Sequence, residues 1–127
     1  MKKNFTDLIE TISTLRGPNG CPWDKKQTHE SLIKCLQNES QELIDAINNK
    51  DTENMKEELG DVLLQVIMHA QIAKEEGLFD IEDVMIYLDE KLHRRHPHVF
   101  GGHAQATSPE EALALWKEMK KKERENK

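Results

Sequence analysis

The 127-residue chain carries 18 Lys and Arg against 24 Asp and Glu, a formal net charge of −6. That balance excludes a general nucleic-acid binder, which draws its affinity from neutralising phosphates with Lys and Arg. No apolar run approaches the roughly 20 residues that span a bilayer, and Met1 to Asn4 lead into an amphipathic stretch instead of a signal-peptide core.

The length suits one domain over residues 1–127, and a chain 33% charged and 36% hydrophobic reads as soluble and cytoplasmic. Cys21 and Cys35 lack CxxC spacing and read as reduced. The first predicted helix covers about residues 5–15, with Phe5, Leu8, Ile9, Ile12 and Leu15 at helical spacing. A run of turn formers from Arg16 to Asp24 follows as an irregular loop. Thr28 is the expected cap of a second helix reaching about Asn48. Thr52 and Glu53 open a third that ends near Gly77, and Asp80 caps a fourth running towards Pro97. After a loop containing Gly101, Gly102 and His103, the run Ser108-Pro109-Glu110-Glu111 starts the last helix. That helix is expected to fade into the charged tail Lys120 to Lys127. Strand signals are missing, so the fold class is all-α: an antiparallel four-helix-type bundle with an additional terminal helix.

Several carboxylates fall where a core should be. On a helical wheel the second helix buries Leu32, Cys35, Leu36, Leu43, Ala46 and Ile47 on one arc; Glu39 lies inside that arc and Glu42 at its edge. Asn38, Gln41 and Asp45 take the solvated side. In the third helix Met55, Leu59, Val62, Leu63, Val66, Ala70 and Ala73 form the expected core stripe, flanked by Glu58 and Asp61. Each pair, Glu39 with Glu42 and Glu58 with Asp61, has i, i+3 spacing, which places both carboxylates on one side of a turn. Two facing antiparallel helices would bring the four together, and an unpaired inward carboxylate needs a cation. An all-oxygen donor set suits Mg²⁺, with Mn²⁺ as a substitute. With 24 acids in the chain, either pair alone fits a solvated face; two pairs on consecutive helices favour metal.

Leu64, Met68 and Ile72 form another apolar line on the third helix, so Val62 to Ala73 is apolar nearly all round. Two partners fit a helix buried on both sides: a second copy of the chain, giving a symmetric homodimer, or a central place in one bundle.

These residues, in this order, resemble the MazG-type nucleoside triphosphate pyrophosphohydrolases. The likeness rests on Glu39-x-x-Glu42, a 14-residue spacer from Leu43 to Lys56, and Glu57-Glu58-Leu59-Gly60-Asp61. Gly20-Cys21-Pro22-Trp23-Asp24 with Gln27-Thr28 lies upstream. Arg94-Arg95-His96-Pro97-His98-Val99-Phe100-Gly101 and Trp116-x-x-x-Lys120 lie downstream. The resemblance implies an Mg²⁺-dependent enzyme that cleaves nucleoside triphosphates to a monophosphate and pyrophosphate. It implies that Glu39, Glu42, Glu58 and Asp61 hold the metal and act in catalysis. The attacking water would be activated by the metal or by a carboxylate. It further implies that Lys91 and Arg95 contact phosphates and that Trp116 and Lys120 lie beside the nucleotide. The chain departs from the family at Asn38, where a Glu is usual, and at Gln41, where an aromatic is usual.

Other chemistries fit less well. His93, His96, His98 and His103 would need to converge for zinc, and Pro97 interrupts their helix. His69 reads as a satisfied core histidine. A di-iron bundle needs two Glu-x-x-His elements on different helices, and only Glu90-x-x-His93 is of that kind. A nucleotide-binding module without turnover is the remaining rival, and Asn38 is the feature that favours it.

Overall fold

The computed structural model describes residues 3–101 and 105–126, and every regular element among them is helical. The order is α1 Phe5–Leu15, α2 Pro22–Lys26, α3 Ile33–Asn48, α4 Thr52–Glu75, α5 Ile81–Arg95 and α6 Pro109–Glu125. The all-α class read from the sequence is therefore the one observed. His103 and Gly102 lie outside the described residues. The chain divides into two compact units, Met1–Ile81 and Glu82–Lys127.

In the first unit, α4 packs against both α1 and α3. Its core joins Ile12 of α1, Leu32, and Ile67, Met68 and Ile72 of α4, with Ile9, Cys35, Leu63, Leu64 and Ile81 packed around them. The apolar stripe of α4 is thus rotated from the expected one. Met68 and Ile72, expected on a second face, belong to the core; Leu59 and Val66, expected inside, are 51% and 43% exposed. The cause is α4's central position. With a helix on each of two sides its buried arc is wide, and a sequence apolar nearly all round does not set the phase. On α3, Leu36 and Ile47 are likewise exposed, while Leu32 and Ala46 are buried as expected.

Capping explains most element ends. Asn4 accepts from the Asp7 backbone N–H at 2.9 Å while Asp7 accepts from that of Asn4 at 3.1 Å, a reciprocal capping box. Thr28 does not cap α3. Its hydroxyl accepts from Ser31 N–H at 3.1 Å and its carbonyl from Leu32 N–H at 3.2 Å, which closes a turn ahead of the helix. α4 opens at Thr52 as expected, and Asp51 caps it by accepting from Asn54 N–H. Gly77, at φ 73°, ends it in a Schellman arrangement with Leu78 N–H donating to Ala73 C=O at 3.0 Å. Ser108 caps α6 as expected, and that helix continues through the lysines to Glu125 instead of fading at Lys120.

The segment expected to be an irregular loop contains α2, with Pro22 in the first turn. Gly20 is required before it, because a Cβ there would run into the carbonyl oxygens of Thr14 and Leu15. Arg16 then ties the segment down. Its Nη1 donates to Asp24 C=O at 2.6 Å and Gln27 C=O at 3.0 Å, while Nε and Nη2 each donate to the Glu75 carboxylate at 2.9 Å.

His69 on α4 stacks on His29, with ring centroids 5.1 Å apart and Nδ1 to Nδ1 at 2.8 Å. One of those nitrogens must donate and the other accept, so the pair cannot be doubly charged and keep this contact. His29 Nε2 also lies 3.2 Å from the Glu76 carboxylate, and His69 Nε2 is buried without a partner. Burial first, then His29, holds the His69 pKa below its ordinary value. The native state therefore binds fewer protons there than the unfolded chain. The contribution is complete above about pH 6.5 and is lost as pH falls through the lowered native value. Relative to His69→Leu, the wild-type thermal midpoint should drop by ~3 °C between pH 7 and pH 5. A constant difference between the two melting curves across that range would refute the assignment.

Candidate metal and nucleotide site

The second and third turns of α3 and the second and third turns of α4 bring four carboxylates together. One oxygen from each of Glu39, Glu42, Glu58 and Asp61 lies within 4.8 Å of the others. The i, i+3 spacing expected from the sequence produces this convergence across the α3–α4 contact. Glu39 is half-buried, Glu42 exposed and Asp61 half-buried, while Asn38 and Gln41 face solvent as the wheel predicts. Glu58 is 8% exposed, a carboxylate-bearing residue buried on α4.

The electrostatics of this cluster are unfavourable without a cation. Oε2 of Glu39 and Oε2 of Glu58 are both buried and have no hydrogen-bond partner. Burial, with the neighbouring Glu42 and Asp61 carboxylates, raises the Glu39 pKa above its ordinary value. Burial first, and then Glu42, pushes the Glu58 carboxyl up to about 7. Near neutrality Glu58 therefore exchanges a proton, and a bound cation would displace it. The residues present fit a hard divalent ion: all donors are oxygen, and two have orphaned buried atoms.

In the second unit the structure brings three of the four expected nucleotide-binding residues together. The Arg95 guanidinium lies 4.9 Å from the Trp116 ring centroid, over its face. His96 meets the same indole edge-on at 5.3 Å. Arg95 and Lys120 line one open cavity of about 480 Å³ with Tyr87, Arg94, Glu123, Arg124 and Asn126. Lys91 precedes Arg95 by one turn of α5 and is half-buried.

Glu123 was not among the expected site residues and falls in what reads as a solvated tail. It accepts from Arg95 Nε at 3.0 Å and Nη2 at 3.3 Å, and from Arg94 Nη2 at 2.8 Å. Those bonds, Arg95's first, hold its pKa down at about 2. The available signal was its place three residues after Lys120 and seven after Trp116, on one helical face.

His93 and His96 make local contacts. His93 Nδ1–H donates to Asp89 C=O at 2.8 Å and His96 Nδ1–H to Leu92 C=O at 2.7 Å. Among the described residues only the four carboxylates form a cluster of metal-ligand type.

Comparison with known proteins gives the chain a family. The profile of the MazG nucleotide pyrophosphohydrolase domain matches residues 27–100, more than half of the chain and all four carboxylates. The chain belongs to the MazG family. It is 54% identical over 120 residues to the nucleoside triphosphate pyrophosphohydrolase/pyrophosphatase MazG of Thermotoga maritima, covering 94% of this chain and 45% of that protein. It is 44% identical over 121 residues to the nucleoside triphosphate pyrophosphohydrolase of Escherichia coli K12, covering 94% and 46%. This MazG-family chain thus spans less than half the length of these curated relatives. Among solved structures, the mazG-related protein from Thermotoga maritima superposes with a TM-score of 0.72 at 34% identity. That match covers 91% of this MazG-family chain and 96% of the other. No helix among the described residues is long and apolar enough to cross a membrane.

Proposed function

We propose that this chain, as one MazG-like domain, hydrolyses nucleoside triphosphates to the monophosphate and pyrophosphate, water attacking the α-phosphorus. The observation that carries the reading is the convergence of Glu39, Glu42, Glu58 and Asp61 with two orphaned buried oxygens. These four would hold Mg²⁺, or Mn²⁺ in its place. Bound there, the ion would reduce the charge on triphosphate oxygens and favour approach of a nucleophile.

The chain's own residues supply the rest. A carboxylate of the cluster takes the proton of the attacking water as the new oxygen–phosphorus bond forms. The bond from the α-phosphorus to its bridging oxygen breaks, and pyrophosphate leaves with that electron pair. Lys91 and Arg95 offset charge on the phosphates, Arg95 through a planar donor fork. Trp116 offers a π-face to the base, which tolerates many bases, and Lys120 lies beside the nucleotide. Such chemistry suits cytoplasmic housekeeping of the nucleotide pool, with no nucleic-acid or membrane partner.

A homodimer belongs to the same proposal. No residue of α5 or α6 is buried, and Met85, Leu88 and Leu92 line an open concavity of about 500 Å³ on α5. On α3, Ile33, Leu36, Ile44 and Ile47 form a further exposed apolar stripe. A second copy is the partner that a self-complementary apolar surface of this kind suits.

Incubation with Mg²⁺ and a panel of ordinary, deoxy and damaged triphosphates should yield monophosphate and pyrophosphate in equal amounts. Orthophosphate as the first product would sink the reading.

A further inference from the structure

The Arg95–Trp116 contact has an anchor that lies outside the motifs carrying the family likeness. Glu123, one turn after Lys120 on α6, engages Arg95 by the Nε–Nη2 edge and Arg94 by Nη2. The side chains of Arg95 and Glu123 are only 13% and 22% exposed, so this is a shielded fork and not a solvent-screened surface pair. With both Nε and Nη2 held, the guanidinium plane is fixed, and its Cζ sits over the Trp116 ring, 4.9 Å from the centroid.

Two opposite consequences can be drawn from a carboxylate in this place. The cavity around it holds Arg94, Arg95, Lys120 and Arg124, an anion-attracting group, and by charge alone Glu123 weakens phosphate binding. By geometry it strengthens binding, because a free arginine must lose rotamer entropy before it can meet a phosphate. The bidentate geometry and low exposure favour the second.

We infer that Glu123 is a positioning residue for the nucleotide site: it fixes Arg95 over Trp116, so that phosphate-binding and base-binding groups are presented together. The inference rests on the nucleotide-binding reading given above. It assigns Glu123 no contact with substrate.

The test uses Glu123→Gln, which keeps the shape and loses the charge-assisted fork, in a Trp23→Phe background so that Trp116 alone emits. Trp23 lies in α2 and is 57% exposed. Acrylamide quenching of Trp116 should increase about twofold as the arginine leaves its face. KM for a triphosphate should rise on the order of tenfold with kcat within about twofold, the pattern of lost substrate binding. In an Arg95→Ala background the same substitution should change KM by less than about twofold, because its effect runs through Arg95. Unchanged quenching, or a KM that falls as charge alone requires, overturns the inference. An equal KM effect with and without Arg95 also overturns it. If the parent protein cleaves no triphosphate, the proposed activity fails, while the quenching experiment still decides where Glu123 holds Arg95.

Discussion

Asp61→Asn should lower turnover on the order of a thousandfold and, in the same protein, raise the thermal midpoint of the metal-free form. The two effects have one origin. Burial first, and then the Glu42 and Asp61 charges, raises the pKa of Glu39 and of Glu58, so the metal-free cluster stores desolvation cost and repulsion. Removing one charge relieves part of it, by about 1 kcal/mol, which corresponds to ~4 °C for a chain of this size. The same change removes a donor from a cation site of four carboxylates. A residue needed only for folding would lower activity and midpoint together. Kinetic assay and calorimetry on the same preparation separate the cases, and near-normal turnover in Asp61→Asn would remove these carboxylates from the reaction.

Arg16→Ala should cost about 3 kcal/mol of stability, or ~10 °C in the thermal midpoint, without touching the carboxylates. The Arg16 side chain is 7% exposed and satisfies two backbone carbonyls as well as Glu75. Its loss strands the Asp24 and Gln27 carbonyls in a part-buried place and frees α2 from the end of α4. Arg16→Lys keeps the charge but offers one ammonium in place of a rigid fork, so it should recover less than half the loss. Glu75→Gln should cost less than Arg16→Ala, since Glu75 is more exposed and the carbonyl bonds remain. Chemical denaturation of the three variants gives the ranking; an Arg16→Ala midpoint within ~2 °C of the parent would show that the fork contributes little.

The carboxylate cluster could be read from the sequence because helical spacing is local. Glu39 with Glu42 and Glu58 with Asp61 each share a turn, and an inward Glu39 marks the α3 face that meets α4. Arg16 could not be read that way. Its carboxylate partner is Glu75, 59 residues on, and no periodicity links a helix cap to the last turn of another helix. The His29–His69 pair fails for the same reason: His29 lies in the turn ahead of α3, outside any stripe. Glu123 was hidden by composition, because a run of Lys and Glu reads as a solvated helix end until Arg94 and Arg95 are seen against it. The stripe of α4 was misphased at Leu59 and Val66 because a helix packed on two sides carries apolar residues on both. Nearly all elements were legible in type and order; the short α2 was missed where Gly and Pro signalled only a turn. Lys91, Arg95, Trp116 and Lys120 came from family likeness and not from spacing.

The bond that breaks distinguishes pyrophosphate release from every other hydrolysis of a triphosphate. Hydrolysis of a nucleoside triphosphate in ¹⁸O-enriched water, with products resolved by mass, identifies it most directly. Attack at the α-phosphorus places the label in the monophosphate and leaves pyrophosphate unlabelled. Label in pyrophosphate, or labelled orthophosphate released from the γ-position, would contradict the account.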